Sequence, residues 1–246
     1  MNPAENELDF YYEALTNKLK RVYQGSLYLT CRDLLGYKDI NWETHGDLIR
    51  ALEHRATLRK LIVMPRGSLK SSLGVVGYVI WRLINDPNER ILIDSEIFTN
   101  SRNFIRELRS HFESDAFRKV FGDWVGDNWS EAEITVKART KAYKEASVTA
   151  GGIGTVKVGQ HYSIIIGDDL NSGNNSATPE ARKKVIQHYQ MNSAILDPGG
   201  TYVLIGTRYA VDDVYGHVLQ NELGIKNVDE MFQLEYEFNE IKKGLL

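Results

Sequence analysis

Hydrophobic residues along this chain follow two spacings. Short unbroken apolar runs at 61–64 (LIVM), 91–93 (ILI), 164–166 (III) and 202–205 (YVLI) have the length and composition of strands buried on both faces. Between them, apolar residues recur every three or four positions, as on one face of a helix. Phe104, Ile105, Leu108 and Phe112 do so in 100–112. Val185, Ile186 and Tyr189 do so after Thr178-Pro179, where Thr178 is an N-cap and Pro179 fits the first turn. Strand-helix units in succession predict an α/β chain with a mostly parallel central sheet flanked by helices.

Ahead of the first run, Phe10, Leu15, Leu19 and Val22, then Leu27, Leu29, Leu34 and Leu35, predict two helices over 8–36 with Gly36 as a stop. Leu48, Ile49 and Leu52 predict a third over 42–55. Residues 1–56 therefore read as an N-terminal helical lid and 57–246 as the core. Trp42 and His45 read as a core Trp and a hydrogen-bonded His, with contact to an adenine ring as the alternative. Residues 117–129 read as a surface-packed excursion, 134–136 as a strand, and Gly151-Gly152-Ile153-Gly154 as a flexible turn. The DPGG at 197–200 reads as a turn, 211–223 as a short helix, and the alternation at 232–236 as a last strand.

With 246 residues the chain suffices for one large α/β domain or two small ones, so a core needs no staples. Cys31 is the single cysteine, which excludes an internal disulfide and reads as a small buried apolar residue. No apolar run approaches the roughly 20 residues that span a bilayer, and the start MNPAENELDF is acidic, so a soluble intracellular chain is expected. A net charge of -3 leaves nucleic-acid contact to a local patch. The most basic stretch holds Lys137, Arg139, Lys141 and Lys144, and reads either as a solvated hairpin face or as a contact for phosphates.

The chemistry concentrates where strands end. After the run 61–64 come Pro65, Arg66, Gly67, Ser68, Leu69, Lys70, Ser71 and Ser72, and then apolar residues at helical spacing. A strand, tight turn and helix in this order aim free backbone N–H groups and a Lys at one point, which suits phosphates. The hydroxyl of Ser71 is placed to ligate Mg²⁺. The pattern G-x-x-x-x-G-K-[ST] is met only in part, because Met64 and Leu69 stand at its two glycine positions. A strand-to-helix turn with a solvated lysine has the same appearance. The run 164–166 leads to Asp168-Asp169, two carboxylates at the carboxyl edge of the sheet, where Asp168 supports the hydrated shell of Mg²⁺ and Asp169 orients or deprotonates water. The run 202–205 leads to Thr207-Arg208 at the same edge. Three strand ends are expected to converge.

PRGSLKS, IIIGDDL, and YVLIGTRY followed by VDDVYGHVL, in this order, resemble the ATPase domain of bacteriophage terminase large subunits, which pump double-stranded DNA into procapsids. The likeness covers about 8–223 and implies a RecA-like (ASCE) P-loop NTPase using ATP and Mg²⁺. It implies that 65–72 cradle the phosphates, with Arg66 as a hallmark and Lys70 on the β/γ-phosphates. It further implies Ser71 and Asp168 on Mg²⁺, Asp169 as the catalytic carboxylate and Thr207 in the coupling position. Some family members place a trans-acting Arg just before the second motif's strand; here that position is Val158, so Lys157 or Arg139 is the candidate. The implied partners are double-stranded DNA, the portal protein, the small terminase subunit and further copies in a ring, in the host cytoplasm. A lone fragment is expected to be monomeric and weakly active. The chain ends before the family's nuclease domain could fit, so nuclease activity is not expected. Alternatives are another P-loop translocase or helicase, a module that binds nucleotide without hydrolysis, and a metal-dependent nuclease using Asp168 and Asp169.

Overall fold

The computed structural model describes residues 3–155, 159–222 and 224–225, with side chains from residue 10 onward. The strand expected at 232–236 lies outside the described residues. The chain begins with α1 (Pro3–Gly25), α2 (Leu27–Leu29) running into a π turn (Thr30–Leu34), and α3 (Trp42–Glu53). Then follow β1 (Arg59–Val63), a π-helical segment (Ser72–Gly77) continuing as α4 (Tyr78–Asn85), β2 (Ile91–Ser95), α5 (Phe98–Glu113) and α6 (Asp115–Phe121). The remainder is β3 (Val125–Trp129), β4 (Glu133–Val136), β5 (Val148–Gly152), β6 (Tyr162–Asp168), α7 (Pro179–Ala194), β7 (Leu196–Gly206) and α8 (Val214–Asn221).

The strands form one sheet in the order β1-β7-β6-β2-β5-β4-β3. The five strands from β1 to β5 are mutually parallel, and β4 and β3 extend the sheet antiparallel. The carboxyl ends of β1, β7, β6 and β2 therefore share one edge, with β7 lying between β1 and β6. Both faces are covered. Ile91, Ile93, Ile164, Ile166, Val203 and Ile205 pack with the π segment, α4, α5 and the N-terminal helices. Leu92, Ile165, Tyr202 and Leu204 pack with α7 and α8. Burial on both faces is why these strands read as unbroken apolar runs. On the second face Asp94 anchors α7: His188 Nε2 lies 2.5 Å from its Oδ2, and Asn192 Nδ2 donates to the same oxygen at 2.6 Å.

Residues 117–129 are not a surface excursion. Phe117 and Trp124 are buried, and both rings meet Phe112 at 5.0 and 5.7 Å, so the aromatics close the core under α5. Gly151 and Gly152 are strand residues of β5 and not a turn; a Cβ would meet Asp94 Oδ1 at 2.7 Å and the Phe98 nitrogen at 2.6 Å. The DPGG segment belongs to β7, and a register irregularity between Tyr162 and Ile164 accommodates it. His45 is buried with its Nδ1 3.1 Å from the Asn41 carbonyl, whereas Trp42 is exposed and meets Tyr28 edge-on. No helix among the described residues is long and apolar enough to cross a membrane.

Candidate functional site

Beyond β1 the backbone turns through two left-handed residues, Gly67 (φ 78°) and Leu69 (φ 55°), before Leu73 N–H donates to the Leu69 carbonyl at 3.0 Å and the helix is under way. An L-residue in that region costs about 1–2 kcal/mol, and such strain concentrates at ligand sites. Leu69, at the pattern's second glycine position, thus holds the left-handed conformation that a glycine adopts without strain. The helix that follows is π-wound over Ser72–Gly77, with Tyr78 N–H bonded to the Leu73 carbonyl. Pro65 and Ser72 frame the turn on its strand and helix sides.

The turn brings Lys70 and Ser71 to the end of β6. Ser71 Oγ donates to Asp168 Oδ1 at 2.8 Å, and Lys70 Nζ lies 3.6 Å from Asp169 Oδ2. Lys70 and Asp168 are each 5% exposed. Burial, the largest influence, pushes the Asp168 carboxyl up to about 7; the Ser71 hydrogen bond opposes it, the Asp169 charge adds to it, and Lys70 opposes it. Asp169, in the left-handed region at φ 43°, is half-exposed. Its N–H donates to the Ile205 carbonyl at 2.9 Å, and its Oδ1 accepts from Thr207 N–H at 3.1 Å. Thr207 Oγ1 donates to the Met64 carbonyl at 3.2 Å, and Met64 N–H to the Gly206 carbonyl at 3.1 Å. The ends of β1, β7 and β6 are thereby stitched together around one ammonium, one hydroxyl and two neighbouring carboxylates.

No protein-family model and no curated protein matches the chain.

The donor set fits a hydrated Mg²⁺. No cluster of three or more His, Cys, Asp or Glu among the described residues is arranged to hold a metal, so an all-protein cage is absent there. One buried carboxylate and one hydroxyl, completed by water and phosphate oxygens, is how Mg²⁺ is commonly bound. Asp168 held near neutral pKa by desolvation would be relieved by a cation. Ser68 Oγ in the turn is buried and has no hydrogen-bond partner among the described residues.

Arg66 is exposed and donates to Tyr209 Oη, with its guanidinium carbon 5.8 Å from the Tyr209 ring centre. Asp213, fully buried, accepts from Tyr209 N–H (2.9 Å) and Ala210 N–H (3.2 Å) and caps α8 at Gly216 N–H (3.0 Å). In the sequence the Asp three residues before Gly216 is an N-cap signal for Asp213, but nothing there pairs Tyr209 with Arg66.

Arg139 lies elsewhere. It donates to the carbonyls of Glu145 (2.7 Å) and Glu89 (3.2 Å) and packs over Tyr143, at the amino end of β2 and so at the opposite edge of the sheet from Asp168. Its neighbours in the basic stretch are also engaged: Lys137 pairs with Asp123 at 3.3 Å, and Lys144 donates to the Gly159 carbonyl. Asn88 Oδ1 binds the N–H groups of Thr140 and Lys141 at 3.1 and 2.8 Å, holding the stretch as an ordered loop. Lys157 and Val158 lie outside the described residues.

Proposed function

We propose that this chain is the ATP-hydrolysing motor domain of a viral DNA-packaging terminase large subunit, a RecA-like (ASCE) P-loop NTPase that couples ATP hydrolysis to translocation of double-stranded DNA. The observation that carries the reading is the meeting of Lys70 and Ser71 from one motif with Asp169 and Asp168 from another, 97 residues further along in the Ser71–Asp168 case. The strand order, with β7 inserted between β1 and β6, supports it because the inserted strand delivers Thr207 to the same point.

In this reading the N–H groups of the 65–72 turn and the Lys70 ammonium hold the β- and γ-phosphates. Ser71 and Asp168 hold Mg²⁺, which when bound neutralises charge on the phosphate oxygens. Asp169 orients the attacking water and accepts its proton, with Thr207 N–H holding the carboxylate in position from the far side. Arg66 contacts the γ-phosphate, and Thr207 links loss of that phosphate to the loop before α8. Double-stranded DNA, the portal protein, the small terminase subunit and further copies in a ring, in the host cytoplasm, are the partners and setting this motor role requires.

Steady-state ATPase measurement of Lys70→Ala and Asp169→Asn tests the assignment. Phosphoryl transfer depends on positioning and charge stabilisation, so each variant is expected to lose about a hundredfold or more in kcat. Near-normal turnover of either would remove that residue from its role, and no turnover in wild type would remove the motor.

A further inference from the structure

Among the buried side-chain polar atoms, three serine hydroxyls have no hydrogen-bond partner among the described residues: those of Ser68, Ser95 and Ser101. Ser68 is in the turn already described. Ser95, the last residue of β2, is 1% exposed. A hydroxyl so placed loses its water without replacement, and native structures seldom tolerate that unless a water or ligand completes it.

The sheet register says what stands beside it. In the parallel β2–β6 pair, Ile91 is opposite Ile164, Ile93 opposite Ile166, and Ser95 opposite Asp168. Paired residues of adjacent strands point to the same face and lie about 5 Å apart. The four isoleucines belong to one core cluster, which fixes that face as the one carrying the 65–72 turn and its helix. Ser95 and Asp168 therefore stand side by side on it, and on the other flank Asp168 is opposite Ile205 of β7, an apolar side chain. Ser71 engages Oδ1 of Asp168, and no described residue donates to Oδ2. The sheet thus offers one polar neighbour to this carboxylate, and that neighbour makes no bond to it.

We infer that Ser95 is a positioning residue for the metal of the proposed ATP site: its hydroxyl accepts a hydrogen bond from a water of the hydrated cation that Asp168 holds. The inference rests on the proposed function and extends it by one residue. Mg²⁺ gives up its waters reluctantly, so a site with one carboxylate and one hydroxyl leaves several waters to be oriented by groups around it. Metal-bound water is a strong donor, and a serine hydroxyl with no donor of its own nearby is a suitable acceptor.

The test is Mn²⁺ binding, followed by electron paramagnetic resonance in the presence of a non-hydrolysable ATP analogue, in wild type, Ser95→Ala, Ser95→Cys and Ser101→Ala, with thermal melting of each metal-free protein. Removal of an unsatisfied buried hydroxyl leaves the metal-free melting temperature of Ser95→Ala equal to or above wild type. Mn²⁺ affinity in Ser95→Ala and Ser95→Cys falls about tenfold, the low end for groups that orient a metal's ligands. Ser101→Ala, which removes an equally unpartnered hydroxyl on α5, keeps wild-type affinity. Unchanged affinity in both Ser95 variants, or an equal loss in Ser101→Ala, overturns the inference alone. A wild-type chain that binds no Mn²⁺ with the nucleotide analogue overturns the proposed function, and the inference with it.

Discussion

Ser71 Oγ donates to Asp168 Oδ1 across 2.8 Å, joining the first turn of the helix after β1 to the last residue of β6. These are the two groups assigned to Mg²⁺ in the proposed site, and there the bond would hold them together ahead of the ion. Ser71→Ala is expected to weaken Mg²⁺-dependent nucleotide binding by about tenfold or more, as loss of a group on the metal does. Binding of the nucleotide without Mg²⁺ should change little. Calorimetric titration with and without Mg²⁺ separates the two; equal losses in both would make Ser71 a structural cap only.

Asp168 gives the protein a pH dependence with a definite sign. Its carboxyl is raised from 3.8 to about 7, so between these values the folded chain holds a proton that the unfolded chain has released. Stability from this group is therefore highest below about pH 4 and is lost as pH rises to 7 and beyond. At 1.36 kcal/mol per unit, the loss is on the order of a few kcal/mol. Asp168→Asn, which cannot ionise but still accepts from Ser71, should melt above wild type at pH 7.5 and near it at pH 4.5. Addition of Mg²⁺ with nucleotide should raise the wild-type melting temperature at pH 7.5 and leave the variant little changed. A variant less stable than wild type at both pH values would contradict the sign.

Much of this architecture is written in the apolar runs, because strands buried on both faces cannot hide among polar residues. Residues 164–166 and 202–205 are examples. β5 (VTAGG) and β3 (VGDNW) carry no apolar run, for opposite reasons. The first lacks side chains where Asp94 and Phe98 crowd it, and the second is a polar edge strand. Lys70, Ser71, Asp168 and Asp169 were legible because each follows a run that ends abruptly. Ser95 also ends a run, but a single hydroxyl carries no signal until the register sets it beside Asp168. Charge density marks the basic stretch around Arg139 without showing that Arg139 is already bonded to the Glu145 and Glu89 carbonyls.

Gly206 is required at the end of β7. A Cβ there would come within 1.7 Å of Tyr215 Oη and 3.1 Å of Asp169 Oδ1, and Tyr215 is fully buried and cannot swing away. Gly206→Ala is expected to destabilise by about 3 kcal/mol, the upper part of the range for overpacking, and to displace Asp169. Tyr215→Phe in the same chain removes the atom at 1.7 Å but leaves the ring carbon at 2.4 Å, so it should recover part of the loss. Urea melts of the two single variants and the double variant read this coupling directly. Additive effects would show that the helix α8 yields instead of resisting.

Arg66 and Tyr209 join the turn after β1 to the loop after β7 by a hydrogen bond and a ring contact at 5.8 Å. In the proposed motor the same guanidinium is needed by the γ-phosphate, so Tyr209 competes with nucleotide for it. An exposed contact of this kind is worth about 0.5–1 kcal/mol. Freeing Arg66 by Tyr209→Ala should therefore tighten binding of an ATP analogue by about two- to fivefold. Tyr209→Phe, which keeps the ring and loses the hydroxyl, should fall between the two. ADP lacks the γ-phosphate, so its affinity should be the same in all three proteins. Fluorescence titration with labelled ATP analogue and ADP makes the comparison, and an equal change for both nucleotides would mean that Tyr209 touches the base or ribose and does not hold Arg66 in reserve. Asp213 ties the Tyr209 backbone to the start of α8, so in the proposed motor release of the pair on phosphate binding would give the site a direct mechanical path to that helix.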